Sequence, residues 1–235
     1  MVSEDKPPFA LREIQTQQFR NPFNIVASHP WNCLFVIDIG NHCIWKVSAA
    51  NYTISLWLSD LEHVTALSVT NDGRVLIINQ DENLEIYEHN AQLTDSIHLH
   101  DLGIPFHAVQ TSAGSFIVCH RMVHEEDDGD VWLVSELDTE GALIRSSSDK
   151  DAAHLSEPSH LFIDSNDRLF VADRWSSRVV LFDEELNWNR TILSEEHDGI
   201  QLPLRIYYDD MKHQLIVISG AAGGEKVDVY SHEFH

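Results

Sequence analysis

Basic residues are scarce in this chain of 235: Lys and Arg number 15 against 38 Asp and Glu, a formal net charge of −23. Binding to a phosphate backbone needs Lys and Arg to displace counterions, so nucleic acid is disfavoured as a partner, and anionic lipid likewise. The expected partners are a neutral or basic protein segment, a cation or an uncharged small molecule. Cysteine is also thin. Cys33, Cys43 and Cys119 form no CxxC pair and are odd in number, which is not the pattern of a disulfide framework or a zinc module. No apolar run approaches the roughly 20 residues that span a bilayer. The N-terminal Met1-Val-Ser-Glu-Asp-Lys-Pro-Pro has no apolar core behind it, so it is not read as a signal peptide and a cytoplasmic location is expected. Two sequons, Asn51-Tyr-Thr and Asn189-Arg-Thr, are read as chance occurrences. No stretch sustains a period of 3.6, so helix should be scarce.

What is present is repetition. The clearest unit starts at Ser159 and reads SHLFIDSNDRLFVADRWSSRVVLFD. It gives a strand, a Ser-Asn-Asp turn, a second strand, a polar loop and a third strand, with a fourth at 190–193. The same frame recurs from Phe23, Thr65, His107 and Arg205. The first core positions, Ile25, Leu67, Ala108, Leu161 and Ile206, are spaced by 42, 41, 53 and 45 residues. A period in the low forties with four short strands per unit predicts an all-β fold, a β-propeller of five or six four-stranded blades. The last unit shows only three strands, and the segment 10–18 reads as a lone strand before the first. That N-terminal strand is expected to complete the last blade and close the ring, making residues 1–235 a single domain.

Two units resemble NHL repeats, whose pattern is a strand ending in Val-Ala-Asp, a Gly-Asn-His/Asn-Arg loop and a further strand. Residues 36–47, VIDIGNHCIWKV, follow it with Cys43 where Arg is usual. Residues 171–179, VADRWSSRV, follow it with Ser-Ser in place of Gly-Asn. The resemblance implies a binding module of the kind found at the C-terminus of tripartite-motif proteins. No RING, B-box or coiled coil is seen here, so ligase activity would reside elsewhere.

Propeller sites gather where inner strands begin and second strands end, on loops held by a rigid scaffold. Aligning the units places Asn24, Ala66, His107, His160 and Arg205 at the first position, and Asp38, Asn79, His120, Asp173 and Ser219 at the second. The expected ligand-binding face comprises Asn24, Asp38, His107, His120, His160, Asp173, Arg174 and Arg205. His107, His120 and His160, with Asp173, could hold zinc or calcium at the axis. The plainer reading is that these side chains cap backbone or line a polar shaft, with no cofactor. The acidic loop His124–Asp130 lacks the ordered frame of a calcium loop and reads as solvated. Gly220–Gly224 is loop punctuation, and Trp31, Trp45, Trp57 and Trp175 read as core or blade-edge packing, the alternative being an exposed binding patch. The expected function is a non-catalytic, monomeric platform for a protein partner. The alternative is a metal-assisted propeller enzyme, a lyase or hydrolase acting on a small molecule.

Overall fold

The structure, a computed structural model, describes residues 18–61, 64, 66–79, 81–123, 130–147, 154–209, 211–221 and 224–231. They form a five-bladed β-propeller. Blade 1 is β1 (Pro22–Ser28), β2 (Cys33–Asp38), β3 (Cys43–Ser48) and β4 (Ile54–Leu58). Blade 2 is β5 (Ala66–Val69), β6 (Val75–Ile78), β7 (Asn83–Tyr87) and β8 (Leu93–His98). Blade 3 is β9 (Ile104–Gln110), β10 (Phe116–Met122), β11 (Val131–Leu137) and β12 (Leu143–Ser146). Blade 4 is β13 (Pro158–Ile163), β14 (Leu169–Asp173), β15 (Arg178–Phe182) and β16 (Trp188–Ser194). Blade 5 is β17 (Pro203–Asp209), β18 (Gln214–Ala221) and β19 (Gly224–Ser231). Within each blade the strands pair antiparallel in chain order. The only α-helix among the described residues is the single turn Glu195–Asp198, and none of their helices is long and apolar enough to cross a membrane.

Why the second strand of each blade reads as continuous apolar sequence follows from the packing. Both of its faces are covered, so the alternation seen in a one-sided sheet disappears. In β6, Val75 and Ile77 pack against Phe35 and Ile37 of blade 1, while Leu76 and Ile78 pack against Phe116 and Val118 of blade 3. In turn, Ile117 and Cys119 of β10 meet Leu161, Leu169 and Val171 of blade 4. Phe170 and Ala172 of β14 meet Ile206, Leu215 and Val217 of blade 5. Four interblade cores therefore seal four of the five junctions.

The fifth junction differs. Among the described residues no buried cluster joins blade 5 to blade 1, although Leu34, Val36, Ile216 and Ile218 face a shared cavity there. Ile25, expected in the core, is 56% exposed; among the described residues no buried cluster covers its face of β1 across this seam. The two blades do approach at the axis, where the Arg205 guanidinium sits 5.3 Å from the Phe23 ring centroid.

The expected closing strand falls, except for Gln18, outside the described residues. The chain's route into blade 1 is nevertheless defined. The amides of Arg20 and Asn21 donate to the Asp38 carboxylate, both at 2.9 Å. Those of Ser156 and Glu157 donate to Asp173 in the same way, at 2.9 and 3.1 Å. The chain thus enters blade 1 through the same amide–carboxylate contacts by which it enters blade 4 after β12, the outer strand of blade 3.

If mutual covering of blades supplies the stability, position within it should decide the cost of truncation. Phe170→Ala, in the core between blades 4 and 5, should cost about 3–5 kcal/mol. Ile25→Ala, on the seam, should change stability by no more than about 0.5 kcal/mol. Urea denaturation of the two variants checks the contrast.

Candidate functional site

Four of the five inner strands open with the same device. Pro22, Pro105, Pro158 and Pro203 each stand two residues before Asn24, His107, His160 and Arg205. In each case one extra residue interrupts the register with the second strand: Phe23, Phe106, Ser159 and Leu204. Proline offers no N–H to a ladder, and the inner strand is a sheet edge where none is required. A bulge beside it turns the following side chain away from its regular direction. Blade 2 has neither element: Val64 stands where the proline would be, and Ala66 pairs with Ile78 without a shift. The register thus delivers one amide, two imidazoles and one guanidinium to one cavity. The alignment of strand starts identifies these four residues. The recurring Pro-x-polar tripeptide, PFN, PFH, PSH and PLR, is the further signal in the sequence.

The cavity occupies about 2080 Å³ along the axis and the blade 5–blade 1 seam. His107 and His160 lie ring to ring, with centroids 4.2 Å apart. The Leu161 amide donates to His107 Nδ1 at 3.4 Å, so the ring proton is on Nε2, which lacks a hydrogen-bond partner. Burial pushes His107 down to about 3, and Arg205 adds to the push. Burial, His107 and Arg205 together hold His160 well below the usual imidazole range. Its shielded Nδ1 also has no partner, and neither does Asn24 Nδ2. Both imidazoles are therefore neutral at physiological pH.

Arg205 is half-buried and its guanidinium is itself pushed down by desolvation, with Glu225 pulling the other way. Arg74, Arg121, Arg145, Arg168, Arg174 and Arg178 each pair with a carboxylate. Arg205 makes no ion pair among the described residues; Nη1 donates only to the Leu204 carbonyl, at 2.7 Å.

The second-strand residues do other work. Asp38 accepts from Arg20, Asn21, Gly40, Asn41 and Trp45. Burial pushes its carboxyl up, and these donors more than offset that and hold it below the ordinary range. Asp173 accepts from Ser156, Glu157 and the Arg178 guanidinium, the last at 2.9 Å. His120 is committed at both ring nitrogens. Nδ1 donates to the Leu102 carbonyl at 2.5 Å, and Nε2 accepts from Ser135 at 2.7 Å. Burial lowers His120 to about 4 against the pull of that carbonyl. Arg174 pairs with Glu157 at 3.0 Å at the cavity rim and lies against Trp175, 5.7 Å from its ring centroid. Trp175 is 65% exposed. Trp31 stacks on His89 of the next blade, and Trp57 donates to the His89 carbonyl.

The geometry does not suit the metal centre of the expectation. His120 has no free lone pair to offer, and no three His, Cys, Asp or Glu side chains among the described residues converge as a metal would require. Of the acidic loop His124–Asp130, only Asp130 lies within the described residues, paired to Arg121 at 3.1 Å.

Solved propellers share this architecture. Virginiamycin B lyase from Staphylococcus aureus superposes with a TM-score of 0.58 at 11% identity, over 90% of this chain and 70% of its own. A gluconolactonase candidate gives 0.68 at 14% identity, over 90% and 74%. A luciferin-regenerating enzyme gives 0.66 at 12% identity, over 91% and 73%. No protein-family model matches the sequence, and no curated protein does. These likenesses establish the fold. They also correct the expectation of a non-catalytic protein-binding platform, because the propellers that share the fold include named enzymes and the small-molecule alternative fits them better.

Three desolvated, neutral histidines, His107, His120 and His160, make stability depend on pH. Their folded-state pKa values lie below the unfolded value of about 6.5, so the unfolded chain takes up protons first as pH falls. Each stabilising contribution is complete above that value and lost on acidification, for His107 down to about 3 and for His120 to about 4. Each should remove up to about 1.4 kcal/mol per pH unit within its window. Urea midpoints between pH 6.5 and 4.5 should fall steeply, and His107→Gln should flatten that slope.

Proposed function

We propose that this propeller is an enzyme, a lyase or hydrolase, acting on a small organic molecule held in the axial cavity. One observation carries the reading: four inner-strand bulges aim Asn24, His107, His160 and Arg205 into one largely apolar cavity. Polar groups left unmatched in an apolar pocket cost free energy unless a ligand answers them. His160, partly open to the cavity, is the proton-transfer group, neutral and able to accept. Arg205 faces the negative charge that the substrate carries or develops, where a cation in a dry site is most effective. His107 stacks on His160 and sets its position, and Asn24 supplies a donor and an acceptor for orientation. No step is routed through a metal. The NHL resemblance belongs to this reading as a description of blades 1 and 4, whose loops Asp38 and Asp173 tie down.

The test is turnover of a panel of lactones, carboxylic esters and β-substituted acids prone to elimination. A substrate should be found whose kcat/KM falls by about 10²–10⁴ in His160→Ala, the range for a lost proton-transfer group. Arg205→Met should lose a comparable factor, with circular dichroism unchanged in both. Absence of turnover across the panel, or turnover indifferent to both variants, would defeat the proposal.

A further inference from the structure

We infer that the cavity's ligand is an apolar carboxylate, its anionic group on Arg205 and its hydrocarbon part in the seam between blades 5 and 1. This names the substrate class for the site proposed above and rests on that reading.

The first observation is the charge left over at Arg205. A chain with 38 acids has ample means to pair its 15 Lys and Arg, and six other arginines are so paired. The half-buried Arg205 is not, among the described residues. An uncompensated charge taken from water is costly. Its guanidinium presents a planar fork that matches a carboxylate with two parallel hydrogen bonds. The nearer acids are spoken for or remote. Glu157 is bound to Arg174 and Asp38 to five donors. Glu225 attracts Arg205 only beyond ion-pair distance.

The second observation is the wall beside it. Phe23, Ile25 and Tyr207 are 52, 56 and 48% exposed around the same cavity. Phe23 lies directly under the guanidinium, and Ile216 and Ile218 line the far side of the seam. At the other four junctions the matching faces bury one another. Here no buried cluster forms among the described residues, and Leu34, Ile216 and Ile218 stay only partly buried, leaving room for a hydrocarbon group. A ligand with both features would cover the unsealed apolar faces and neutralise the unpaired cation together. A neutral apolar molecule would leave Arg205 uncompensated, and a small hydrophilic anion would leave the seam bare.

Isothermal titration calorimetry on the full chain, with phenylbutyrate, phenylbutyramide and phenylbutylamine as probes, tests this without requiring turnover. The acid should bind about 10- to 100-fold more tightly than the amide, the worth of a charge-assisted hydrogen bond. The amine should bind more weakly still. Arg205→Met should bring the acid down to the level of the amide, whereas Arg205→Lys should keep part of the preference. Phe23→Ala should weaken acid and amide alike by about tenfold or more, from lost apolar contact. Glu225→Gln should tighten the acid. An amide or amine that binds as well as the acid, or a preference that survives Arg205→Met, would overturn the inference. Acid binding without turnover of any substrate would count against the enzyme reading while supporting this ligand class. Turnover of uncharged substrates with no acid binding would do the opposite.

Discussion

Everything in this molecule depends on one blade covering the next. A four-stranded sheet with two apolar faces cannot persist alone in water, and at four of the five junctions the facing sides cover one another. The arrangement is strict enough to be read residue by residue. Odd positions of β6 turn to blade 1 and even ones to blade 3. The same division holds for Ile117 against Val118 in β10, and for Phe170 against Val171 in β14. At roughly 25 cal/mol per Å² of apolar surface removed from water, each sealed junction is a principal source of stability. The junction of blades 5 and 1 carries no such buried cluster among the described residues. The seam between blades 5 and 1 is where scaffold and site meet.

The scaffold's second contribution is directional. Inner strands are edges, and an edge tolerates proline and a bulge that a central strand would reject. That tolerance lets the chain repeat one local distortion in four blades and turn one polar residue into the cavity from each. The outer ends of the same loops are fixed by side chains with no other duty. Asp38 and Asp173 gather the incoming backbone amides, and His120 donates to the incoming Leu102 carbonyl. Positions equivalent in the repeat have therefore divided into anchors, at the ends of second strands, and cavity groups, at the starts of inner strands.

The fold was legible because it rests on periodicity. Four strands per unit and steps of 41 to 53 residues survive the loss of any single signature, so a propeller of five or six blades could be read from the sequence, and the structure has five. The candidate site was legible only in part. Aligning the repeats named Asn24, His107, His160 and Arg205, but residue type could not separate them from His120 or Asp173. An imidazole committed at both nitrogens and one with an unmatched nitrogen are the same letter. What separates them is the bulge, visible in sequence only as a proline two residues earlier. Ile25 was misplaced for a related reason. Its pattern is that of a core residue, and its exposure depends on whether blade 5 seals against blade 1, which no local pattern encodes.

Net charge and the lining of the cavity bear on different partners for a physical reason. A formal charge of −23 describes the surface, and at physiological ionic strength exposed charges are screened over about 8 Å. A ligand inside the axial cavity responds to the groups that line it. There Asp38, Glu157, Asp164 and Asp209 are already engaged, the two imidazoles are neutral, and Arg205 makes no ion pair among the described residues. The acidic exterior bears on which macromolecules can approach the protein. A single guanidinium, half-removed from water and backed by an aromatic ring, bears on what can stay inside it. The two fields act over different distances on different partners, and the total charge records only the first.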